Sequence, residues 1–124
     1  MYTVDTNAVI YYLKGDTSVS KLFDEIIGSG ARLYISTVTE LELFSLPSLT
    51  NEEARSIDAL LSTLTIIPLD SRLARLAGEI RRTYRIKTPD SIIAATALST
   101  GTTLITKNTR DFKNIVGLTL HQNR

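Results

Sequence analysis

Cysteine is absent from this chain of 124 residues, and histidine occurs only once. These shortages exclude disulfide bonds, thiolate metal sites and zinc centres built from Cys and His. An excess of charge of one sign is missing too, because 14 Lys and Arg against 13 Asp and Glu leave a net charge of +1. A uniformly basic coat is therefore excluded, and only local patches can attract a charged partner.

Long apolar runs, internal repeats and Pro- or Gly-rich linkers are also missing. No stretch approaches the roughly 20 apolar residues of a membrane span, and the N-terminus lacks a basic region before a long apolar core. These absences predict a cytoplasmic protein with no membrane partner. A hydrophobic content of 43% can build one core, so we expect residues 1–124 to form a single domain.

Short β-branched segments alternate with longer segments of helical periodicity, which predicts right-handed βαβ units and a parallel sheet covered on both faces. The fold class is therefore α/β. Strands are predicted at Met1–Asp5, Leu33–Ser36, Thr65–Leu69, Thr103–Thr106 and Leu118–His121. Helices are predicted at Thr6–Lys14, Ser18–Gly28, Thr37–Leu46, Asn51–Leu64, Arg72–Arg85 and Pro89–Thr100.

Acidic residues recur where these strands end and the next helices begin. They are Asp5, Glu40, Asp70, Asp90 and Asp111. Singly, each can be explained as a helix cap or a first-turn acid, for which Asp and the Thr-x-x-Glu pattern are favoured. Together they would crowd one edge of a parallel sheet, where like charges repel. Mg²⁺ or Mn²⁺ relieves such repulsion and prefers oxygen ligands, so the set predicts a metal centre for phosphate chemistry.

Four motifs in series then resemble a known family. VDTN lies near the start, S-x-x-T-x-x-E follows the second strand, and K-x-P-D-x-x-I-A-A-T-A and L-I-T-K-N-x-x-D-F follow later. Their order and spacing resemble the PIN domain, and most closely the toxin ribonucleases of VapBC toxin–antitoxin systems. The resemblance implies a three-layer α/β/α sandwich with a central, mainly parallel sheet. It also implies a metal-dependent endoribonuclease.

The resemblance implies roles for individual residues. Asp5, Glu40 and Asp90 match the three acids of the family's catalytic site, with Asp5 and Asp90 as the metal ligands. We assign the fourth acid to Asp111, because the position that many relatives use is Asn108 here, which would contribute as a neutral residue. Thr6 and Thr106 match polar residues that support the site. Asp70 matches no catalytic position and is interpreted as a helix cap.

Basic and apolar segments indicate partners. Arg81, Arg82, Arg85 and Lys87 precede Asp90 closely. Lys87, Lys107 and Arg110 are nearest to the acids and are predicted to contact substrate phosphates. RNA would be cleaved in a single-stranded loop. The apolar segments LELFSLPSL and YYL suit a groove for an amphipathic helix, and the resemblance assigns that groove to a cognate antitoxin and implies a homodimer.

Other functions fit the sequence less well. A PIN nuclease for RNA processing, without an antitoxin, is the alternative within the family. A phosphoacceptor signalling domain needs an acidic pair after the first strand, where only Asp5 is found. A haloacid-dehalogenase-type phosphatase needs a second Asp two residues after Asp5, where Asn7 stands. A pure binding module leaves the acids unexplained, and the lone His121 is not expected to be catalytic.

Overall fold

The computed structural model describes residues 1–121, which form five strands and seven helices. The strands are β1 Tyr2–Val4, β2 Leu33–Ser36, β3 Thr65–Ile67, β4 Thr103–Ile105 and β5 Thr119–Leu120. The helices are α1 Thr6–Leu13, α2 Thr17–Gly28, α3 Thr37–Phe44, α4 Asn51–Leu61, α5 Ser71–Tyr84, α6 Thr88–Thr100 and α7 Thr109–Phe112. Every predicted strand and helix is present, with ends that differ by a few residues.

Helix α7 was not predicted as a helix. It has only four residues, about one turn, and a single turn is too short to show helical periodicity in a sequence. The helix begins directly after Asn108. Asn108 makes no side-chain capping hydrogen bond, however.

All five strands are parallel and lie in the order β3-β2-β1-β4-β5. The chain runs from β1 outward through β2 to β3 on one side and returns to add β4 and β5 on the other. The connections therefore change direction between β1, the central strand, and its neighbour β4. Ligands of open α/β sheets bind outside the carboxyl ends of the strands at such a switch point.

Two apolar clusters cover the two faces of the sheet, as the predicted α/β sandwich requires. Side chains alternate between faces along a strand, so Leu104 of β4 belongs to one cluster and its neighbour Ile105 to the other. Val9 of α1, Phe23 of α2 and Ile57 of α4 join the Ile105 cluster. Helices α5 and α6 pack on the opposite face. The fold prediction is therefore confirmed.

Polar side chains begin several helices, because the first backbone N–H groups of a helix have no partner within it. Asp5, Asp16, Ser36, Thr50 and Asp70 each accept a hydrogen bond from the first turn that follows them. The interpretation of Asp70 as a cap is confirmed, since its carboxylate accepts from the Leu73 N–H at 2.9 Å. Among residues 1–121, no helix is both long and apolar enough to cross a membrane.

Candidate active site

Asp5 leaves the central strand β1 and does two structural tasks at once. Its Oδ1 accepts the backbone N–H of Ala8 at 2.8 Å and so caps α1. Its Oδ2 accepts a hydrogen bond from the Thr106 hydroxyl, which follows β4. The side chain is only 4% exposed. Asp5 therefore stands buried at the switch point, tied to both central strands, with lone pairs still free on its two oxygens.

Thr6 connects this point to helix α3. Its Oγ1 lies 2.6 Å from Oε1 of Glu42 and 3.1 Å from Oγ1 of Thr39. Thr39 and Glu42 are three residues apart on α3, so they lie on the same helix face. This contact brings the Glu42 carboxylate beside Asp5, and the negative charge of Glu42 raises the pKa of Asp5.

Glu42, and not Glu40, is the α3 acid that the structure brings to the other acids. Two positions along an α-helix differ in direction by about 200°, so the two carboxylates leave opposite sides of α3. Glu40 makes no hydrogen bond to Thr6 and exerts no charge effect on Asp5 or Asp90. The sequence did carry the signal, because S-x-x-T-x-x-E counted from Ser36 passes through Thr39 and ends at Glu42.

The predicted helix start explains that shift of two residues. Taking Thr37 as the N-cap makes Glu40 the partner in a Thr-x-x-Glu capping box. The structure places the cap one residue earlier, where the Ser36 hydroxyl accepts the Val38 N–H at 3.1 Å. Thr37 instead uses its hydroxyl to accept the Leu69 N–H at 3.0 Å, next to β3.

Asp90 reaches the same region from the first turn of α6. It follows Pro89, and the preceding Lys87 is the N-cap residue of this helix. Burial raises the pKa of Asp90, and the negative charges of Asp111, Asp5 and Glu42 raise it further. Lys87 opposes this effect only in part. The charges of three acids from three other segments therefore act on Asp90 at the carboxyl edge of the sheet.

Asp111 and Asn108 hold each other on the loop and helix after β4. The Asn108 side-chain amide donates to Oδ2 of Asp111 at 2.7 Å, and its backbone N–H donates to Oγ1 of Thr106 at 2.9 Å. Thr106 in turn donates to Asp5. The neutral Asn108 thus orients Asp111, and two of the three predicted supporting residues, Asn108 and Thr106, belong to one hydrogen-bonded chain that ends on Asp5.

Asp5 and Asp90 lie in surroundings that disfavour their negative charges, as is expected where a cation binds. Burial is the main cause that raises the pKa of Asp5, against the opposing hydrogen bonds from Thr106 and Ala8. A raised pKa means that the negative charge is unfavourable in its folded surroundings. Among residues 1–121, no three acidic or histidine side chains converge closely enough to hold one ion by themselves. Mg²⁺ usually needs only one or two carboxylates, together with waters and phosphate oxygens.

Comparison with known proteins identifies the family. A family model described as PIN domain matches residues 2–118. The chain belongs to the PIN-domain family. It is 31% identical to the tRNA(fMet)-specific endonuclease VapC of Shigella flexneri over 126 residues, which cover 94% of this chain and 93% of that protein. It is 30% identical to Ribonuclease VapC1 of Rickettsia felis, over 93% and 90% of the two chains.

Solved structures resemble this PIN domain over nearly its whole length. VapBC2 from Rickettsia felis, bound to a DNA fragment from its promoter, superposes with a TM-score of 0.82 at 26% identity. That match covers 97% of this chain and 96% of the other. A toxin–antitoxin complex from Klebsiella pneumoniae has a TM-score of 0.79 at 31% identity, over 95% of both chains.

The predicted phosphate-binding residues have different surroundings in this PIN domain. Lys107 forms an ion pair with Asp16, with Nζ 3.6 Å from Oδ2, and lies over the ring of Tyr11 at 4.6 Å. Lys87 is near enough to Asp90 to lower its pKa. Arg110 lines a cleft together with Asp111. Lys87 and Arg110 therefore lie beside acids of the cluster, whereas the recorded side-chain contacts of Lys107 are with Asp16 and Tyr11.

The apolar segments divide between core and surface. Leu43 is fully buried, whereas Leu41, Phe44 and Leu46 are exposed at 64%, 41% and 36%. From the YYL segment, Tyr12 stacks on Phe23 in the core. The exposed large side chains of α3 and the following turn leave an apolar surface for a partner. A neighbouring groove between α1, α4 and the segment that precedes α4 has a mixed lining, with apolar side chains such as Leu13 and Leu49 beside charged ones such as Glu52 and Glu53.

Proposed function

We propose that this PIN domain is a divalent-metal-dependent endoribonuclease and the toxin of a toxin–antitoxin pair. The observation that carries the proposal is the meeting of Asp5, Glu42, Asp90 and Asp111 at the switch point of the sheet, where burial and mutual repulsion raise the pKa of Asp5 and Asp90. Relatives that match nearly the whole chain are named ribonucleases, and similar solved structures are toxin–antitoxin complexes.

Mg²⁺ or Mn²⁺ fits the donors that the site offers. They are carboxylate and hydroxyl oxygens, which hard divalent cations prefer. Asp5 and Asp90 would hold the ion, and Asp5 is positioned for this by Thr106 and by the α1 backbone. When bound, the ion would lower the pKa of a water and neutralise charge on the phosphate. We retain Asp111 as the fourth acid, with Asn108 as the residue that orients it.

Glu42 replaces Glu40 in our proposed mechanism. Because the Thr6 hydroxyl lies 2.6 Å from Oε1 of Glu42, the carboxylate is oriented while Oε2 remains available to accept a proton from the attacking water. The reaction would be an in-line attack on an RNA phosphodiester. Lys87, Lys107 and Arg110 would bind flanking phosphates and fix the strand relative to Glu42.

The cognate antitoxin would cover the exposed apolar surface of α3. Leu41 and Phe44 are three residues apart and project from one side of that helix. An amphipathic antitoxin helix can bury both side chains. The homodimer remains a prediction, which size-exclusion chromatography coupled to light scattering would test.

Co-expression tests this function most broadly. We expect expression of the chain alone to stop bacterial growth, and expression of the small protein encoded beside it to restore growth. Purified protein should cleave single-stranded RNA in Mg²⁺ and lose that activity in excess EDTA. Growth arrest without RNA cleavage, or full cleavage in EDTA, would contradict the proposal. Cleavage that no neighbouring protein inhibits would favour an RNA-processing nuclease instead.

A further inference from the structure

A cleft of about 290 Å³ lies between the C-terminal end of α5 and helix α7. Arg85 and Lys87 line one wall, and Arg110 and Asp111 line the other. Tyr84 also lines the cleft, and its hydroxyl accepts the N–H of Val116, in the segment after α7, at 3.0 Å. This hydrogen bond ties the end of α5 to the segment that follows α7. The cleft adjoins the acid cluster, since Asp111 belongs to both.

Arg85 has an unusual backbone in this cleft. It ends α5 with φ 57° and ψ 37°, the left-handed conformation, while its N–H donates to the Arg81 carbonyl at 2.8 Å. Helices often end in this conformation, but the residue there is usually Gly, which has no Cβ to crowd the backbone. Strained residues of this kind cluster at functional sites. The backbone strain at Arg85 therefore indicates that its side chain has a function that Gly could not supply.

The charged residues that line the cleft indicate what this function is. Within residues 1–121 the structure contains one ion pair, between Lys107 and Asp16. Arg85, Lys87 and Arg110 thus bring three positive charges to the cleft without an ion-pair partner among the described residues. Asp111 is the one acid in the lining, and it is already hydrogen-bonded by the Asn108 amide. The cleft is therefore suited to an anion with several oxygens.

We propose that Arg85 binds a backbone phosphate of the RNA substrate, in a subsite that Lys87 and Arg110 complete beside Asp111. This inference rests on the proposed ribonuclease function and adds a substrate-binding residue to it. A guanidinium group can contact two phosphate oxygens at once. RNA fits better than an acidic protein segment because the cleft leads directly to the acids at which a phosphodiester would be cleaved.

Salt-dependent RNA binding tests the proposal. The parent is Asp90→Asn, which we expect to prevent cleavage, and the probe is a short fluorescent single-stranded RNA of mixed sequence. Each phosphate contact contributes about 0.7 to the slope of log affinity against log salt. Adding Arg85→Gln should reduce that slope by about 0.7 and weaken binding about 5- to 10-fold at low salt. The matched control is Arg82→Gln, which removes the same charge outside the cleft and should leave the slope unchanged.

Two more variants separate binding from folding. Arg85→Lys keeps the charge and should restore most of the slope. Arg85→Gly relieves the left-handed backbone, so its melting temperature should stay the same or rise while RNA binding weakens as much as in Arg85→Gln. A fall in both melting temperature and affinity would make Arg85 a structural residue and overturn the proposal. An equal slope change in the Arg82 control would also overturn it, because the effect would then reflect net charge alone.

The failure of this inference is distinguishable from failure of the proposed function. If the wild-type chain cleaves RNA in Mg²⁺ but Arg85→Gln leaves the salt slope intact, only the Arg85 subsite is wrong. If Arg85→Gln instead weakens binding of the co-expressed antitoxin with RNA binding unchanged, the cleft belongs to the antitoxin and the RNA subsite is overturned. If the wild-type chain does not cleave RNA at all, both proposals fail.

Discussion

Asp5 and Asp70 have the same local task at the ends of two strands. Each follows a strand of the sheet, and each accepts a backbone hydrogen bond three residues ahead, at 2.8 Å from Ala8 and at 2.9 Å from Leu73. Asp70 is exposed and has no second side-chain partner among the described residues. Asp5 is buried, accepts a second bond from Thr106 and lies within the influence of Glu42.

Position in the sheet explains this difference. β1 is the central strand, so its end faces the end of β4 across the switch point, whereas β3 lies at the sheet edge. Helix capping accounts fully for the Asp70 carboxylate but leaves the burial of Asp5 unexplained. A carboxylate that only caps a helix needs no buried, repulsive surroundings. We therefore propose that Asp5 has a function beyond its cap.

The largest expected effect is on RNA cleavage. We expect Asp5→Asn and Asp90→Asn to lower the cleavage rate at least about 1,000-fold, or about 4 kcal/mol of barrier, because each removes a proposed metal ligand. Asp70→Asn should be fully active, since Asn caps a helix about as well as Asp. Single-turnover cleavage of a labelled RNA in Mg²⁺ measures the cleavage rates of all three variants. If Asp5→Asn were fully active, Asp5 would have no catalytic role to distinguish it from Asp70.

The next largest effect on the cleavage rate should distinguish Glu42 from Glu40, the two acids of α3. Glu42→Gln should lower the cleavage rate by about 100-fold, a typical loss for a proton-transferring side chain, because Glu42 lies beside Thr6 and Asp5. Glu40→Gln changes the same side chain two residues away and should alter the rate less than about 2-fold. Both rates come from the same single-turnover assay. If Glu40→Gln were the damaging change, the orientation of α3 described above would be wrong.

A smaller effect is expected at the end of β4. Asp111→Asn should reduce turnover by about 10-fold, or about 1.4 kcal/mol of barrier, since Asp111 acts on Asp90 through its charge. If Asp111 serves only to stabilise α7, the loss would instead be about 1 kcal/mol of unfolding free energy. Measuring both thermal unfolding and the turnover rate distinguishes the catalytic role of Asp111 from the structural one. An Asp111→Ala protein that is both stable and fully active would contradict both roles.

The sequence predicted where the strands end more accurately than which side chains meet at those ends. Alternating β-branched and helical segments locate β1 and β4, and chain topology then brings Asp5 and Thr106 together. The choice between Glu40 and Glu42 depended on whether α3 is capped by Ser36 or Thr37, a one-residue difference that local pattern alone did not resolve. Two features depend on tertiary packing, and no local sequence pattern predicted them. They are the Lys107–Asp16 ion pair and the left-handed backbone conformation of Arg85.

The pH dependence of stability is a further test of the comparison. The folded pKa of Asp5 is raised above its ordinary value of 3.8, so the folded state holds this proton more tightly than the unfolded state. Stability must then fall as pH rises from about that value through the raised folded pKa. Asp5→Asn should not show this part of the decrease in stability. Urea unfolding in EDTA at several pH values measures the free energy of unfolding of both proteins, and the same pH dependence in both would contradict the account.

Thermal stability with and without Mg²⁺ tests the central claim most directly, because it requires no substrate. In EDTA, Asp5→Asn should melt at a higher temperature than the wild type, by on the order of 1 kcal/mol of unfolding free energy. Added Mg²⁺ should stabilise the wild type more than Asp5→Asn, since binding to the native state adds stability by mass action. Asp70→Asn should match the wild type in both conditions. An Asp5→Asn protein that melts no higher in EDTA and responds equally to Mg²⁺ would reduce Asp5 to a helix cap like Asp70.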